Sequence, residues 1–266
     1  MAKLLDKTNL SSEKLEAIVK LFRAGQEDIF DLLFKNIDKT LTKNSKDTLL
    51  AELTVILGAM SARSKQWFAT VLPEAYKAGL KFVDRSVDQS APITADHIDI
   101  VNELIDAGSL RVDIALDVAR RDFQLIVDQA LTDQIRLKLS SVEGDSIQDI
   151  AKDIEKLIKD RGITGMFDRR GRAVSLQNYA EMVARTEVLR AANLGVLNRG
   201  LQYGVDIYEV SYHAGVDPND KPCIDNAGKK FSASGTSENF PPLELDNIPP
   251  YHPNCRHILI PRPDLE

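Results

Sequence analysis

The chain has 266 residues, 43% hydrophobic and 28% charged, with a formal net charge of -6, an ordinary globular balance large enough for one big domain or two modest ones. From Asp206 onward ten acids stand against five lysines and arginines, which excludes this end as an electrostatic nucleic-acid clamp, because such a clamp displaces counterions with a basic face. No run approaches the ~20 apolar residues of a membrane span, and Met-Ala-Lys-Leu-Leu-Asp-Lys is too charged for a signal peptide, so a protein made in the cytosol with no membrane partner is expected.

From Ser11 the apolar residues Leu15, Ile18, Val19, Phe22, Ile29, Leu32 and Leu33 recur at helical spacing, with a break expected at Gly25. Lys46 to Val71 continues the pattern, and Pro73 is placed in the first turn of a following helix. Trp67 and Phe68 lie on the helical stripe, which favours core packing over a ligand platform. His97 follows Thr94, a candidate N-cap, and reads as a first-turn surface residue, since no cysteine or second histidine is near it in sequence. Residues 110 to 139 predict another long helix, stopped by Gly144, and Ser146 opens a short one through Ile158. The stretch from Gly162 to Val174 has apolar flanks around turn residues and predicts a hairpin. Its basic turn, Arg169, Arg170 and Arg172, is a candidate nucleic-acid contact, although a solvated turn is the more common explanation for three arginines beside a glycine. Ser175 caps a helix that runs to Gly204. Within it, Arg185 and Glu187 are two apart and cannot pair on one face, so each is expected to find its partner on a neighbouring element. Val205 to Tyr212 then alternates as a strand.

The end of the chain has a different composition. Both cysteines, Cys223 and Cys255, and three of the four histidines, His213, His252 and His257, lie between positions 213 and 257, together with nine of the eleven prolines from Pro218 onward. Prolines at that density end the helical pattern, and a small unit poor in large aliphatics gains from a structural metal. Zinc takes four Cys or His ligands, often as two close pairs. His252 and Cys255, three apart, form one such pair, and His213 with Cys223 a looser one, so the candidate ligands are His213, Cys223, His252 and Cys255. Asp217, Asp225 and His257 are substitutes. The plainer reading makes Cys255 and His252 packing residues in a proline-bracketed turn, with Arg256 holding nearby carbonyls. A reduced cysteine pair is expected rather than a disulfide.

Four segments in order, Ile163 to Met182, Val183-Ala184-Arg185-Thr186-Glu187, Val210 to Gly215, and Gly228 to Ser232 with Pro249-Pro250-Tyr251-His252-Pro253-Asn254-Cys255-Arg256-His257, resemble the phage Mu F-like head morphogenesis proteins and the phage minor capsid protein 2 family. The resemblance covers roughly residues 110 to 261. It implies a low-copy virion component made in the host cytoplasm and bound to the portal protein inside the capsid. Scaffold or major capsid protein would be further partners, and nucleic acid a secondary one. The resemblance departs in one place: where the common form has a second cysteine three residues after the first, this chain has Asn226 after Cys223.

Two catalytic alternatives use the same residues, a Cys255 nucleophile with His213 or His252 in a protease, and a histidine-held metal in a nuclease. No cysteine stands at an evident helix N-terminus, and no complete set of nucleophile, base and orienting group is visible, so a non-enzymatic protein is expected. The expected fold is mainly α: an elongated helical N-terminal region, residues 1–145, serving attachment to portal or capsid, and residues 146–266 as a minor head domain whose small C-terminal α+β unit zinc could staple.

Overall fold

The computed structural model describes residues 12–37, 41–139, 149, 152–154, 156, 163–167, 171–212, 221–253 and 255–265. The fold is mainly α, with long N-terminal helices and a small strand-containing unit near the C-terminus. The chain divides into two compact units, one from Met1–Leu15, Trp67–Gly108 and Met182–Glu266, the other from Glu16–Gln66 and Ser109–Glu181.

The second of these units is built from α1 (Ser12–Ile37), the first half of α2 (Lys43–Val87) and the greater part of α3 (Ala95–Leu139). Thr42 and Ser45 cap α2 reciprocally: the Ser45 amide donates to Thr42 Oγ1 at 3.2 Å and the Thr42 amide to Ser45 Oγ at 2.7 Å, which satisfies two otherwise orphaned donors. Ile18, Phe22, Ile29 and Leu33 of α1, Leu49, Leu53, Leu57 and Met60 of α2, and Val112, Phe123 and Val127 of α3 are all buried. Ser61 donates to Asp113 at 2.6 Å and Lys46 pairs with Asp128, so α3 descends as α2 ascends. The Gly25 break does not occur. The helix runs through it because a Cβ there would lie 2.4 Å from Met60 Sδ, so glycine serves a close helix approach instead of a stop.

β1 (Thr164–Phe167) and β2 (Ala173–Ser175) form the antiparallel hairpin the sequence predicts, pairing Thr164 with Ser175 and Phe167 with Ala173. A hydrogen bond from the Thr164 amide to Asp122 Oδ2, at 3.1 Å, ties it to α3. Gly144, Ser146 and Ile158, which bound the short helix expected after α3, lie outside the described residues.

In the other unit, α4 (Leu176–Gln202) crosses the second half of α2 where each offers a glycine. A Cβ on Gly79 would meet Ala192 O at 2.1 Å, and one on Gly195 would meet Tyr76 O at 2.2 Å, so only backbone fits between them. Ser175 Oγ accepts from the Asn178 amide at 3.3 Å at the start of α4. At its end Gly204 takes φ +77°, the Val205 amide bonds Gly200 O at 2.9 Å and the Gly204 amide bonds Leu201 O at 3.1 Å, which closes the last turn and releases the chain into a strand. β3 (Ile207–Val210) is the centre of an antiparallel sheet of order β4 (Lys230–Ser232), β3, β5 (Leu259–Pro261). Its core joins Val83, Leu189 and Val196 of the helices to Tyr208, Val210, Phe231 and Leu259 of the strands. A short helix, α5 (Lys221–Asn226), precedes β4.

Three expectations need correction. Pro73 lies inside α2, not at the start of a new helix. An interior proline costs about 3 kcal/mol, but Phe68, Val71, Leu72, Ala75 and Tyr76 are buried on both sides of it, and each large one contributes about 1.5–3 kcal/mol. The helix containing His97 and the one from residue 110 are a single helix through Gly108, which abuts the buried ring of Phe68. His97 is buried instead of exposed: its Nδ1 is hydrogen-bonded with the Tyr76 hydroxyl at 2.8 Å, and Asn198 Nδ2 donates to that hydroxyl at 2.8 Å. Burial pushes the Tyr76 hydroxyl above its ordinary pKa, which keeps it protonated. A surface reading fails there because position in a first turn says nothing about what packs over it.

Candidate metal centre

Both cysteines and His257 of the C-terminal end converge. Cys223 is the third residue of α5 and nearly fully buried, Cys255 is buried, and His257 is completely buried on the approach to β5. One ligand atom from each of Cys223, Cys255 and His257 lies within 4.8 Å of the others. Cys223 Sγ stands 3.8 Å from Cys255 Sγ, and Cys255 Sγ stands 3.7 Å from His257 Nδ1. Neither cysteine is in a disulfide. His252, half-buried, brings Nε2 to 2.9 Å from Cys223 Sγ, and its Nδ1 is 2.7 Å from Pro253 O. That carbonyl can only accept, so Nδ1 carries the hydrogen and Nε2 presents its lone pair to the sulfur.

Local structure explains the convergence. The Cys255 amide bonds His252 O at 3.1 Å, closing a turn that folds His252 back over the following residues. Cys255 and His257 are two apart on the approach to β5, and Cys255 Sγ reaches His257 Nδ1. The backbone on either side is held by Asn193 of α4, completely buried, which donates to Pro249 O at 2.9 Å and His257 O at 3.3 Å and accepts from the Leu259 amide at 3.0 Å. Ser211 adds a second anchor, its hydroxyl accepting from the Ile258 amide at 3.0 Å. The ring of Tyr251 lies 5.8 Å from that of His257, and its hydroxyl donates to Asn247 O at 3.0 Å. Burial raises the Tyr251 hydroxyl pKa well above its ordinary value, and negative charge on Cys255 and Cys223 raises it further. Chemically this is a buried group of two sulfur donors and one nitrogen donor, with the half-buried His252 against one sulfur, suited to a soft or borderline divalent cation.

Of the four candidate ligands, Cys223 and Cys255 are in this cluster, His252 lies against Cys223 but outside the group of donors within 4.8 Å of one another, and His213 lies outside the described residues. His252 meets Cys223, across 29 positions, more closely than its sequence neighbour Cys255 is paired with any histidine. His257 is fully in the group; the spacing Cys255-x-His257 in a stretch leading to a strand is the signal that favours it. Asn193 gave no signal, because an asparagine in a helical stripe does not reveal which backbone it will reach. Cys223 does sit in the first turn of a helix, one too short to be recognised among prolines. Arg256 is exposed, and so is Arg172, while Arg169 and Arg170 lie outside the described residues. Glu187, nearly fully buried, finds its partner on its own helix: Arg190 Nη1 donates to both carboxylate oxygens at 3.2 Å.

Among the described residues no helix is long and apolar enough to cross a membrane. No curated protein and no solved structure matches the chain. A family model, phage minor capsid protein 2, matches residues 7–262, and it spans the helices, the hairpin, the three-stranded sheet and every member of the cysteine and histidine cluster. The chain belongs to the phage minor capsid protein 2 family, and its role is that of a structural component of the virion.

Proposed function

We propose that this minor capsid protein is bound to the portal inside the head and assists head assembly, genome packaging or delivery, without turnover of a substrate. Family membership over residues 7–262 supports the reading. The helical region, residues 1–145, is the proposed attachment surface for the portal, with scaffold or major capsid protein as further contacts, and residues 146–266 form a minor head domain whose tail is stapled by zinc. Arg169, Arg170 and Arg172 are the proposed, secondary contact to packaged nucleic acid. Cross-linking mass spectrometry on assembled heads tests the placement: cross-links from residues 1–145 to the portal protein are expected. Abundant links to the outer surface of the major capsid protein with none to the portal would overturn it.

A second reading rests on one distance, the 2.9 Å between Cys223 Sγ and His252 Nε2, which also suits a thiol nucleophile and its base in a hydrolase. Burial of that sulfur, and a second thiol 3.8 Å from it, favour ligation over attack on a substrate. Fast, selective alkylation of Cys223 in folded, zinc-supplemented protein, with hydrolytic turnover abolished by Cys223→Ser, would reverse the order of the two readings.

A further inference from the structure

We infer that the zinc ligands are Cys223 Sγ, Cys255 Sγ, His257 Nδ1 and His252 Nε2, a Cys2His2 set in which His257 takes the place the sequence spacing gave to His213. The inference rests on the reading that zinc staples the C-terminal unit and names the donors that do it.

Metal–donor lengths fix the edges of a zinc tetrahedron. With Zn–S of about 2.3 Å and Zn–N of about 2.0–2.1 Å, two sulfurs sharing an ion lie about 3.8 Å apart, and a sulfur and a nitrogen about 3.6 Å apart. Here the sulfurs are 3.8 Å apart and Cys255 Sγ is 3.7 Å from His257 Nδ1. A disulfide would hold the sulfurs at about 2.05 Å; packed thiols can stand as far apart as these, and it is the convergence of three buried donors within 4.8 Å of one another that points to an ion. His252 is the outlying donor: its Nε2 is 2.9 Å from Cys223 Sγ but stands outside the group of three donors within 4.8 Å of one another, so its imidazole must turn toward the other donors to complete the tetrahedron. An ion then takes the place of the thiol proton between the two, with a bond to each partner. On binding, the two thiols give up their protons to solvent while both imidazoles stay neutral.

The donors are also held as a metal site requires. The Pro253 carbonyl fixes the His252 tautomer in which Nε2 carries the lone pair that ligates, as outer partners of ligating histidines do. Asn193 grips the backbone on both sides of the ligand segment, at Pro249 and at His257 and Leu259. The ion therefore joins α5 to the approach to β5, across a loop of 32 positions. His252 is the half-buried member, so the ion enters and leaves past that imidazole.

The full-length chain, purified under reducing conditions and reconstituted with zinc alone, is expected to hold a single ion. Substituting cobalt is expected to give tetrahedral d–d bands with thiolate-to-metal charge transfer. Cys223→Ser, Cys255→Ser and His257→Ala are expected to weaken zinc at least as much as the ~10–100-fold that loss of an outer-shell partner costs. His252→Ala is expected to weaken it while speeding release to chelator, and His213→Ala to leave it unchanged. Because alanine variants can misfold, His257→Cys supplies the decisive arm: it is expected to retain a tetrahedral cobalt spectrum with added charge-transfer intensity from a third thiolate. A wild-type chain that takes up no zinc, or binds cobalt without thiolate charge transfer, sinks the staple and the donor set together. Zinc bound by His257→Ala as tightly as by wild type, with loss of zinc in His213→Ala, sinks the donor set alone and leaves the staple standing.

Discussion

In the unit formed by residues 16–66 and 109–181, Phe22, Leu53 and Phe123 are completely buried, and each arrives there on a stripe of helical period. In the segment from Pro249 to Leu259, the groups that fix the chain are instead Asn193, Ser211, two thiols and two imidazoles, joined by bonds with defined partners. The first arrangement gains by area, and many side chains of suitable size satisfy it. The second gains little from each bond, but leaving a buried donor or acceptor unmade is expensive. A change of one apolar residue therefore weakens the helices by degrees, whereas a change of one polar residue should release the tail as a unit.

Phe123→Ala is expected to have the largest effect, about 3–5 kcal/mol, through the lost transfer energy and the cavity left among α1, α2 and α3. Denaturant unfolding followed by helical circular dichroism measures it. A loss below about 1 kcal/mol would mean that the helices are not held by this core.

Gly195→Ala sharpens the contrast from the other unit. The new methyl would lie 2.2 Å from Tyr76 O, a backbone atom that no rotamer can move. About 1–3 kcal/mol of destabilisation or more is expected from overpacking, although alanine is the better helix former by about 1 kcal/mol. Thermal unfolding should show a lowered midpoint, and a raised one would place α2 and α4 further apart.

Asn193→Ala breaks the polar arrangement directly. Two carbonyls and one amide of the tail lose their partner, a loss of about 1–3 kcal/mol in all. The expected signature is local: amide exchange accelerates across β3 and β5 while α1 and the first half of α2 keep their protection. Uniform acceleration over the whole chain would show that the tail and the helices unfold together.

These differences decide what could be read in advance. Apolar periodicity located α1, α2, α3 and α4, because a buried stripe is written at spacings of three and four. It placed false breaks at Gly25 and Pro73 and began a separate helix at residue 110, because the rule for a lone glycine or proline is local, while the packing that overrides it comes from Met60, Tyr76 and Phe68. The hairpin and β3 were legible in their alternation and turn residues. In the candidate metal centre, the residue types and the crowding of Cys223, His252 and Cys255 were legible, but the partners were not. Whether His252 faces Cys255, its near neighbour, or Cys223, far behind it, depends on a turn closed by one backbone bond and on an asparagine of α4. Sequence spacing carries no information about either.

The smallest effect is the pH dependence of the same tail unit. Asp206 precedes β3 and accepts from Ser232 Oγ at 2.7 Å and from the Ser234 amide at 2.6 Å. Burial raises its carboxyl, but those hydrogen bonds, with one from the Ala233 amide, outweigh it and leave the pKa below the ordinary 3.8. A carboxylate depressed in the folded state favours folding above its unfolded pKa, and that contribution is lost as pH falls through the folded value. Asp206 should therefore support the sheet fully at neutral pH and lose its contribution only below about pH 4. Asp206→Asn is expected to cost about 1 kcal/mol at pH 7 and to flatten the acid limb of the stability curve, measured by thermal unfolding between pH 3 and pH 7. An unchanged acid limb in the variant would move the pH-sensitive group elsewhere, with Asp264 next to be replaced, since its pairing with Arg262 depresses it in the same direction.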